Sequence, residues 1–398
     1  MQITSKKVLV LNGGSSSIKF AVYAVNDQEL LLEIKGQIDR IGDYDSHLNM
    51  KWADGKSFLS EKVNRSSFAQ STLKLLEYLQ KYVGMEDVAA IGHRIVFGGH
   101  HHLPRLIDDD LLQELRAWTD YDEDHLPAAI KVIEIFKKHF PNIPQVASFD
   151  TSFHANLPKV AKMYALPISY FENGIRRYGF HGLSYTYLLR QLKTMQPELA
   201  NSGKMIFAHL GNGASIAAIK NGQCIDTSMG FTPTAGLVMG TRCGDIDPGI
   251  LLHLIRQEKM PPRRVRGLLN HKSGLWGLSE TSGDMRTLLE QENENEKAKD
   301  AIHLFCYNLI KYIGSYAAIL EGINAIVFAG GIGENSPEIR KRICTKLSYL
   351  GLALDEAKNN SSETIISTEH SAIKVFVIKT DEEIILAENA LEFTQDVY

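Results

Sequence analysis

VLVLNGGSSSIKF, Val8 to Phe20, carries an apolar strand straight into Asn12, two glycines and three serines, then resumes as the alternating IKFAVY. A strand that opens onto so many small groups suits an anion. Glycine lets the backbone come close, and successive N–H groups and hydroxyls can cradle phosphate. The same residues would also serve an ordinary Gly/Ser hairpin turn, so the choice rests on the rest of the chain.

A second stretch of this kind lies 200 residues on, from Asn12 to Asn212, about half the length of 398. MIFAHLGNGASIAAIKNGQCI (Met205–Ile225) again runs an apolar strand into a Gly/Asn/Ser loop and returns by an alternating strand. Each half also holds a later apolar strand with a double glycine, in VAAIGHRIVFGGH (Val88–His100) and INAIVFAGGIGEN (Ile323–Asn335). Such a period is too long for a solenoid. It predicts two homologous α/β domains facing each other, with a glycine loop of each lining the cleft between them, where ligands commonly sit.

Local signals agree. KFAVYAV and SIAAIKNGQCI alternate with period two, and Asn221-Gly222 marks a hairpin turn. SSFAQSTLKLLEYLQKYV has apolar residues at helical spacing, with Ser66 or Ser67 as N-cap. EKAKDAIHLFCYNLIKYIGSYAAILEG predicts one long helix with apolar positions on more than one side, buried or in a subunit contact. LEQENENEKAKD reads as a solvated helix face, and DEAKNNSSETI as a surface loop.

The length suits two domains. A net charge of −4 gives no reason to expect nucleic acid or an anionic membrane as partner. No apolar run approaches the roughly 20 residues of a membrane span, and VLVL is too short for a signal-peptide core. Four scattered cysteines without a CxxC pair read as free thiols in a reducing cytoplasm.

Polar clusters gather where apolar strands end. HRIVFGG supplies Arg94, and ASFDTSFH supplies Asp150. RRYGFHGLS holds Arg176, Arg177, Phe180 and His181; HLGNGAS holds His209, Asn212 and Gly213. The Gly-rich DTSMGFTPTAGLVMGTRCGDIDPG contains Arg242, Asp245 and Asp247, and IKTDEEI places Asp381, Glu382 and Glu383 after a strand. Taken singly, each has a plain structural reading: a salt-bridged arginine, a satisfied core histidine, or in GGIGENS a strand-to-helix turn capped by Asn335 or Ser336. Together they lie where α/β sheets carry their sites. Arginines, carboxylates, a histidine and glycine loops are also what phosphoryl transfer needs, because charge spreads over the moving group. GGHHH (Gly98–His102) raises a metal reading, but three consecutive histidines do not easily converge on one ion and the usual zinc spacings are absent. No metal site is expected there.

At this point the chain resembles the acetokinase family of short-chain carboxylate kinases, acetate and propionate kinases. The resemblance runs from Val8 to about Ile384 through NGGSSSIKF, GHRIVFGG, FDTSFH, RRYGFHG, HLGNGAS, DTSMGFTPTAGLVMGTRCGDIDPG, SGDMRTL, GGIGENS and TDEE. It implies two duplicated RNase-H-like domains facing a cleft, as in the sugar-kinase, Hsp70 and actin superfamily. Residues 1–150 with 384–398 would form the first, closed by a C-terminal helix. Residues 151–383 would form the second, binding nucleotide and making a homodimer. The implied reaction is MgATP plus acetate giving ADP and acetyl phosphate by direct in-line transfer, with Mn2+ as the other candidate metal.

Carried over by position, Arg94, Asp150, His181 and Arg242 would be catalytic. Arg94, Val96, His125, Phe180 and Pro233 would hold the acyl group. Asn12, Ser15, Ser17 and Lys19, then His209, Leu210, Gly211, Asn212 and Gly213, would meet phosphates. Asp284, Met285, Arg286, Gly330, Gly331, Ile332, Gly333 and Asn335 would border the rest of the nucleotide. Asn12 and Glu382 would serve the metal.

The chain departs from the family pattern around the acyl pocket. Phe97 replaces a histidine, GFHGTSH has become GFHGLSY, and a segment usually near APLHNP reads DEDHLP, Asp122 to Pro127. Asp124 stands where a leucine would touch the acyl group, and Leu126 replaces an asparagine. Either the loop is rearranged and acetate is still used, or the pocket takes propionate or another small acid, such as a hydroxylated one. A sugar kinase lacks support because no aspartate base stands between the glycine loops. An Hsp70-type module would need a peptide-binding domain that the chain has no room for.

Overall fold

The computed structural model describes residues 6–14, 16–26, 29–63 and 66–395. The chain divides into two compact units, Met1–Ser152 with Asp381–Tyr398, and Phe153–Thr380. This division assigns Asp381, Glu382 and Glu383 to the first unit.

The first unit is built on eight strands: β1 (Lys7–Gly13), β2 (Ile18–Asn26), β3 (Glu29–Asp39), β4 (His47–Trp52), β5 (Ser57–Lys62), β6 (Val88–Ile95), β7 (Arg105–Leu106) and β8 (Gln145–Phe149). They lie in the order β5-β4-β3-β2-β1-β6-β8-β7. β1 to β5 form an antiparallel meander, whereas β6 and β8 run parallel to β1. Val8, Leu9, Val10 and Leu11 are all fully or almost fully buried. A central strand covered on both faces reads as a continuous apolar run for that reason. β2 reports the same thing: Phe20, Ala21, Val22 and Tyr23 are all buried, so the alternation in its sequence does not become an alternation of exposure.

Helices α1 (Phe68–Tyr82), α2 (Asp109–Ala117) and α3 (Leu126–His139) flank this sheet. Ser67 caps α1 through a capping box with Gln70. Leu75, Leu76, Leu79, Val132 and Phe136 join Leu9, Leu11, Phe20 and Val22 in one core. The helix Glu382–Gln395 packs against β6, β1 and β8. Gly92 on β6 permits this approach, since a Cβ there would come within 2.6 Å of the Leu386 carbonyl oxygen.

The second unit carries β9 (Lys204–Leu210), β10 (Ala214–Lys220), β11 (Gln223–Thr227), β12 (Ala325–Ala329) and β13 (Lys374–Val377), in the order β11-β10-β9-β12-β13. β9, β10 and β11 are antiparallel, and β12 and β13 continue parallel to β9. Order and directions match β3-β2-β1-β6-β8, so the repeat read from sequence is a repeat of topology. Asn221 and Gly222 both have positive φ, 53° and 72°, as the two-residue hairpin turn requires.

Four helices of this unit matter below: α4 (Gly182–Met195), α5 (Met285–Gln291), α6 (Glu296–Ile319) and α7 (Gly330–Asn335). α6 is the long helix expected, capped by Asn295 and burying Ala298, Ala301, Ile302, Phe305, Leu309 and Ile313 on one side. Leu304, Tyr307 and Ile319 remain exposed on it. The stretch read as a surface loop contains a short helix, Glu356–Asn360, whose N-cap is Asp355. Among the described residues no helix is long and apolar enough to cross a membrane.

Candidate active site

The glycine loops do what their backbone allows. In the first unit Asn12 pairs with Lys19 and Gly13 with Ile18, and the Gly14 N–H donates to the Ser17 carbonyl at 2.8 Å. The loop is thus a tight hairpin between β1 and β2. Ser15 lies outside the described residues. Lys19 points to solvent. In the second unit the Gly211 N–H donates to the Gly213 carbonyl at 3.0 Å, closing the matching loop between β9 and β10.

Three stretches far apart in sequence meet beside that second loop. Gly211 and Asn212, then Gly283, Asp284, Met285, Arg286 and Leu289, then Gly331, Ile332 and Asn335 line one cavity of about 700 Å³. That volume is within the range of small-molecule sites, roughly 300–1,000 Å³. Asp284 is the N-cap of α5, accepting from the Arg286 N–H, and its other oxygen lies 3.2 Å from the Arg286 guanidinium. Arg286 holds the Asp284 carboxyl below its ordinary value. α7 follows β12 directly, with Gly330 at φ 75° against the backbone of Leu210. Leu210, Gly330 and Gly333 are buried and shape the wall from behind. Of the stretch from Gly330 to Asn335, Gly331, Ile332 and Asn335 line the cavity.

His181 stands at the N-terminus of α4 in the left-handed region, φ 60° and ψ 25°. A non-glycine residue held there costs on the order of 1–3 kcal/mol and marks sites worth inspecting. Its Nδ1 lies 2.8 Å from Ser215 Oγ, which also meets the buried Tyr185 hydroxyl. Burial pushes that tyrosine well above its ordinary value, so it stays a neutral hydrogen-bonding group. The His209 ring lies 4.3 Å from the His181 ring, and its Nδ1 meets the Ser184 hydroxyl, which accepts in turn from the Thr380 hydroxyl. A Cβ on Gly213 would sit 3.3 Å from His181 Nε2 and 3.8 Å from Arg242 Nη1, so both cationic or polar groups border the glycine loop. Arg242 donates to the Pro233 carbonyl at 3.2 Å.

In the first unit, β6 and β8 set a charged cluster. Their register pairs Arg94 with Ser148, which brings Asp150 at the end of β8 alongside. Arg94 Nε and Nη2 reach both Asp150 oxygens, at 3.0 and 2.6 Å, and Nη1 is 3.5 Å from Glu382. Burial would push the guanidinium down, yet Asp150 and Glu382 hold it above its ordinary value. Asp150, 1% exposed, is pushed up by burial while Arg94 pulls the other way. Val96 follows β6 and is buried. His125 Nδ1 contacts Asp122 Oδ1 at 2.7 Å, and the other oxygen of Asp122 is buried with no hydrogen-bond partner. Phe180 and Pro233 are buried in the second unit.

Several candidates prove structural. Arg177 donates to the carbonyls of Ala161, Thr227, Ser228 and Met229. Asp245 accepts from the Gly236 N–H and the Tyr312 hydroxyl, and Asp247 caps the helix Pro248–Arg256. Sequence reading missed His154. Its Nε2 donates to the Phe180 carbonyl at 2.9 Å, and Gly179, at φ 75°, packs on its ring. The His in FDTSFH was the available signal.

A model of the acetokinase family matches residues 7–388. The chain belongs to the acetokinase family. It is 42% identical over 397 residues to an acetate kinase of Clostridium botulinum (strain Okra / Type B1), covering 98% of this chain and 99% of that one. A propionate kinase from Francisella tularensis superposes with a TM-score of 0.90 at 36% identity, over 97% of this chain and 99% of the other. Porphyromonas gingivalis acetate kinase does so at 0.86 and 35% identity, over 98% and 99%. The protein is an ATP-dependent carboxylate kinase with the duplicated RNase-H-like fold of the sugar-kinase, Hsp70 and actin superfamily.

Acetokinase chemistry takes ATP or ADP as co-substrate and a divalent metal. The donors fit such a metal. With both carboxylates ionised, Arg94, Asp150 and Glu382 together carry one net negative charge. Asp150 has given both oxygens to Arg94, and Glu382 places a carboxylate oxygen 3.5 Å from Arg94 Nη1. Oxygen donors of this kind suit a hard cation that keeps several waters.

Proposed function

We propose that this chain catalyses the reversible transfer of the γ-phosphoryl group of MgATP to acetate, directly and in line, as a cytoplasmic homodimer. The observation that carries the reading is the second-unit cavity, where Gly211–Asn212, Asp284–Arg286 and Gly331–Asn335 meet. These are the three stretches that family resemblance assigns to the nucleotide.

Acetate already bears its nucleophilic oxygen as an anion, so the reaction needs no general base. Its difficulty is bringing two anions together: unit charges at 4 Å repel by about 4 kcal/mol at an effective dielectric near 20. Arg94 and Arg242 offset that repulsion, each with a planar fork suited to carboxylate or phosphate. Asp150 acts by holding Arg94 in one orientation. His181, fixed through Ser215, donates toward charge that develops on the phosphoryl oxygens. Asn12, Ser15, Ser17 and Lys19, with His209 and Gly213, meet the phosphates. Val96, His125, Phe180 and Pro233 hold the acyl group. Asn12 and Glu382 would hold the Mg2+, or Mn2+ in its place, which when bound neutralises phosphate charge.

A second reading, a small hydroxylated acid as substrate, is favoured by one observation. Asp122 stands where the family pattern has an alanine, and its buried oxygen lacks a partner. Buried polar atoms rarely stay unpaired, and a substrate hydroxyl is one group that could pair it. Trapping the acyl phosphate with hydroxylamine, with MgATP and a panel of formate, acetate, propionate, butyrate, lactate and glycolate, separates the two. Acetate leading by tenfold, about 1.4 kcal/mol, supports the first reading; lactate or glycolate leading supports the second. No hydroxamate from any acid overturns both.

A further inference from the structure

None of the histidines of GGHHH is among the residues that the resemblance assigns to phosphoryl transfer, yet the stretch is more than a polar loop. One ring nitrogen of His100, one of His101 and a Glu114 carboxylate oxygen lie within 4.8 Å of one another. His101 Nε2 is 2.6 Å from Glu114 Oε2, and His100 Nε2 is 3.9 Å from the same oxygen. Two of the three consecutive histidines come together with Glu114, for a geometric reason. The chain turns at Gly99, φ 56°, and Trp118 packs so closely on that turn that a Cβ on Gly99 would clash with its ring. Both imidazoles then fold onto the same side, with ring centroids 4.3 Å apart and each against Trp118.

We propose that His100, His101 and Glu114 form a binding site for a borderline divalent transition metal of the Zn2+ class, separate from the oxygen-donor metal site of the kinase reaction. Two imidazoles and one carboxylate, with water in the fourth position, are a common zinc ligand set. Nitrogen donors favour such ions over Mg2+, which prefers oxygen. The site is partly built. The His101 side chain is 11% exposed and stacked on Phe149. Glu114 is presented by α2, whose N-cap is Asp108. Arg105 lies 3.8 Å from the other oxygen of Glu114 and 3.4 Å from His101 Nε2. It also lies 3.6 Å from Asp108. On metal binding Arg105 withdraws toward Asp108, and the metal takes the place of any proton on His101 Nε2, which passes to water. Trp118 touches both histidines and also packs edge-on against Phe97. Occupancy would therefore stiffen the loop next to the residue that departs from the family pattern.

The full-length protein, saturated with Mg2+ so that oxygen-donor sites are filled, would be titrated with Zn2+ against a chromophoric chelator. His100→Ala, His101→Ala and Glu114→Gln would be titrated in parallel. One equivalent of Zn2+ bound by the wild type, missing or at least tenfold weaker in His101→Ala and weakened in His100→Ala, is the expected result. His100 is largely exposed, so its variant decides the matter if His101→Ala fails to fold. Quenching of tryptophan fluorescence by Ni2+ should report the same site and vanish in Trp118→Phe. Wild type and variants binding Zn2+ equally, or wild type binding none, overturns the proposal.

Discussion

Arg94 faces two carboxylates at once, and that decides how its loss would read. Asp150 is almost fully buried and takes two of the guanidinium's N–H groups. Arg94→Ala would remove a charge from the reaction and also strand Asp150 in a poorly solvated place. Breaking a buried pair on one side costs roughly 3–5 kcal/mol. Arg242 is half-buried, and its guanidinium meets the Pro233 carbonyl and Met239 Sδ among its contacts, whereas the buried carboxylate of Asp150 is paired to Arg94. We therefore expect both alanine variants to lose at least about a hundredfold in kcat/KM, the scale of a lost charge-stabilising donor. Arg94→Ala should lower the urea midpoint more than Arg242→Ala does. Arg94→Ala as stable as wild type would mean Asp150 is neutral or solvated; Arg242→Ala with wild-type activity would remove Arg242 from the reaction.

At the scale of elements, the helix Glu382–Gln395 is what carries Glu382 to Arg94. Its seat on β6 depends on the missing side chain at Gly92, where the Leu386 carbonyl comes closest. Gly92→Ala overpacks that contact and should cost about 1–3 kcal/mol. It touches no reacting group, so a fall in kcat beyond the loss of folded protein would mark displacement of Glu382. Denaturant titration and kcat measured on the same preparation give both numbers. Unchanged stability would mean the helix slides without penalty. The C-terminal residues were legible as a helix that closes the first domain. The glycine was not, because the need for close approach appears only when strand and helix are seen together.

Over the whole molecule, two buried histidines tie stability to pH. His93 in the first unit and His154 in the second are both lowered by burial from 6.5 to about 4. Between those values the unfolded chain binds a proton that the folded chain does not. Their contribution is therefore intact above about pH 6.5 and is lost as pH falls toward 4, at roughly 1.4 kcal/mol per unit for each histidine. Urea midpoints measured from pH 7 to 4.5 should fall steadily. His93 Nε2 donates to Gln145, and His93→Gln keeps an N–H there while removing the titration, so its profile should be flatter. An identical slope in wild type and variant would mean His93 does not control acid sensitivity.

The sequence by itself determined the duplicated strand–loop–strand pattern, the two hairpin loops and the family. All of these are written in local properties: apolar runs that need cover on both faces, glycines that permit tight turns, and motifs contiguous in the chain. Only the tertiary structure decided what each charged group is spent on. Asp150 reads as a metal or substrate carboxylate until the β6–β8 register lays it along Arg94. Arg177 reads as one more arginine of a strand-end polar cluster until four carbonyls claim it. GGHHH reads as holding no metal site until Trp118 and α2 bring His100 and His101 together at Glu114. A side chain's partner depends on register and on packing between residues tens of positions apart. No pattern of period two or 3.6 along the chain carries that information.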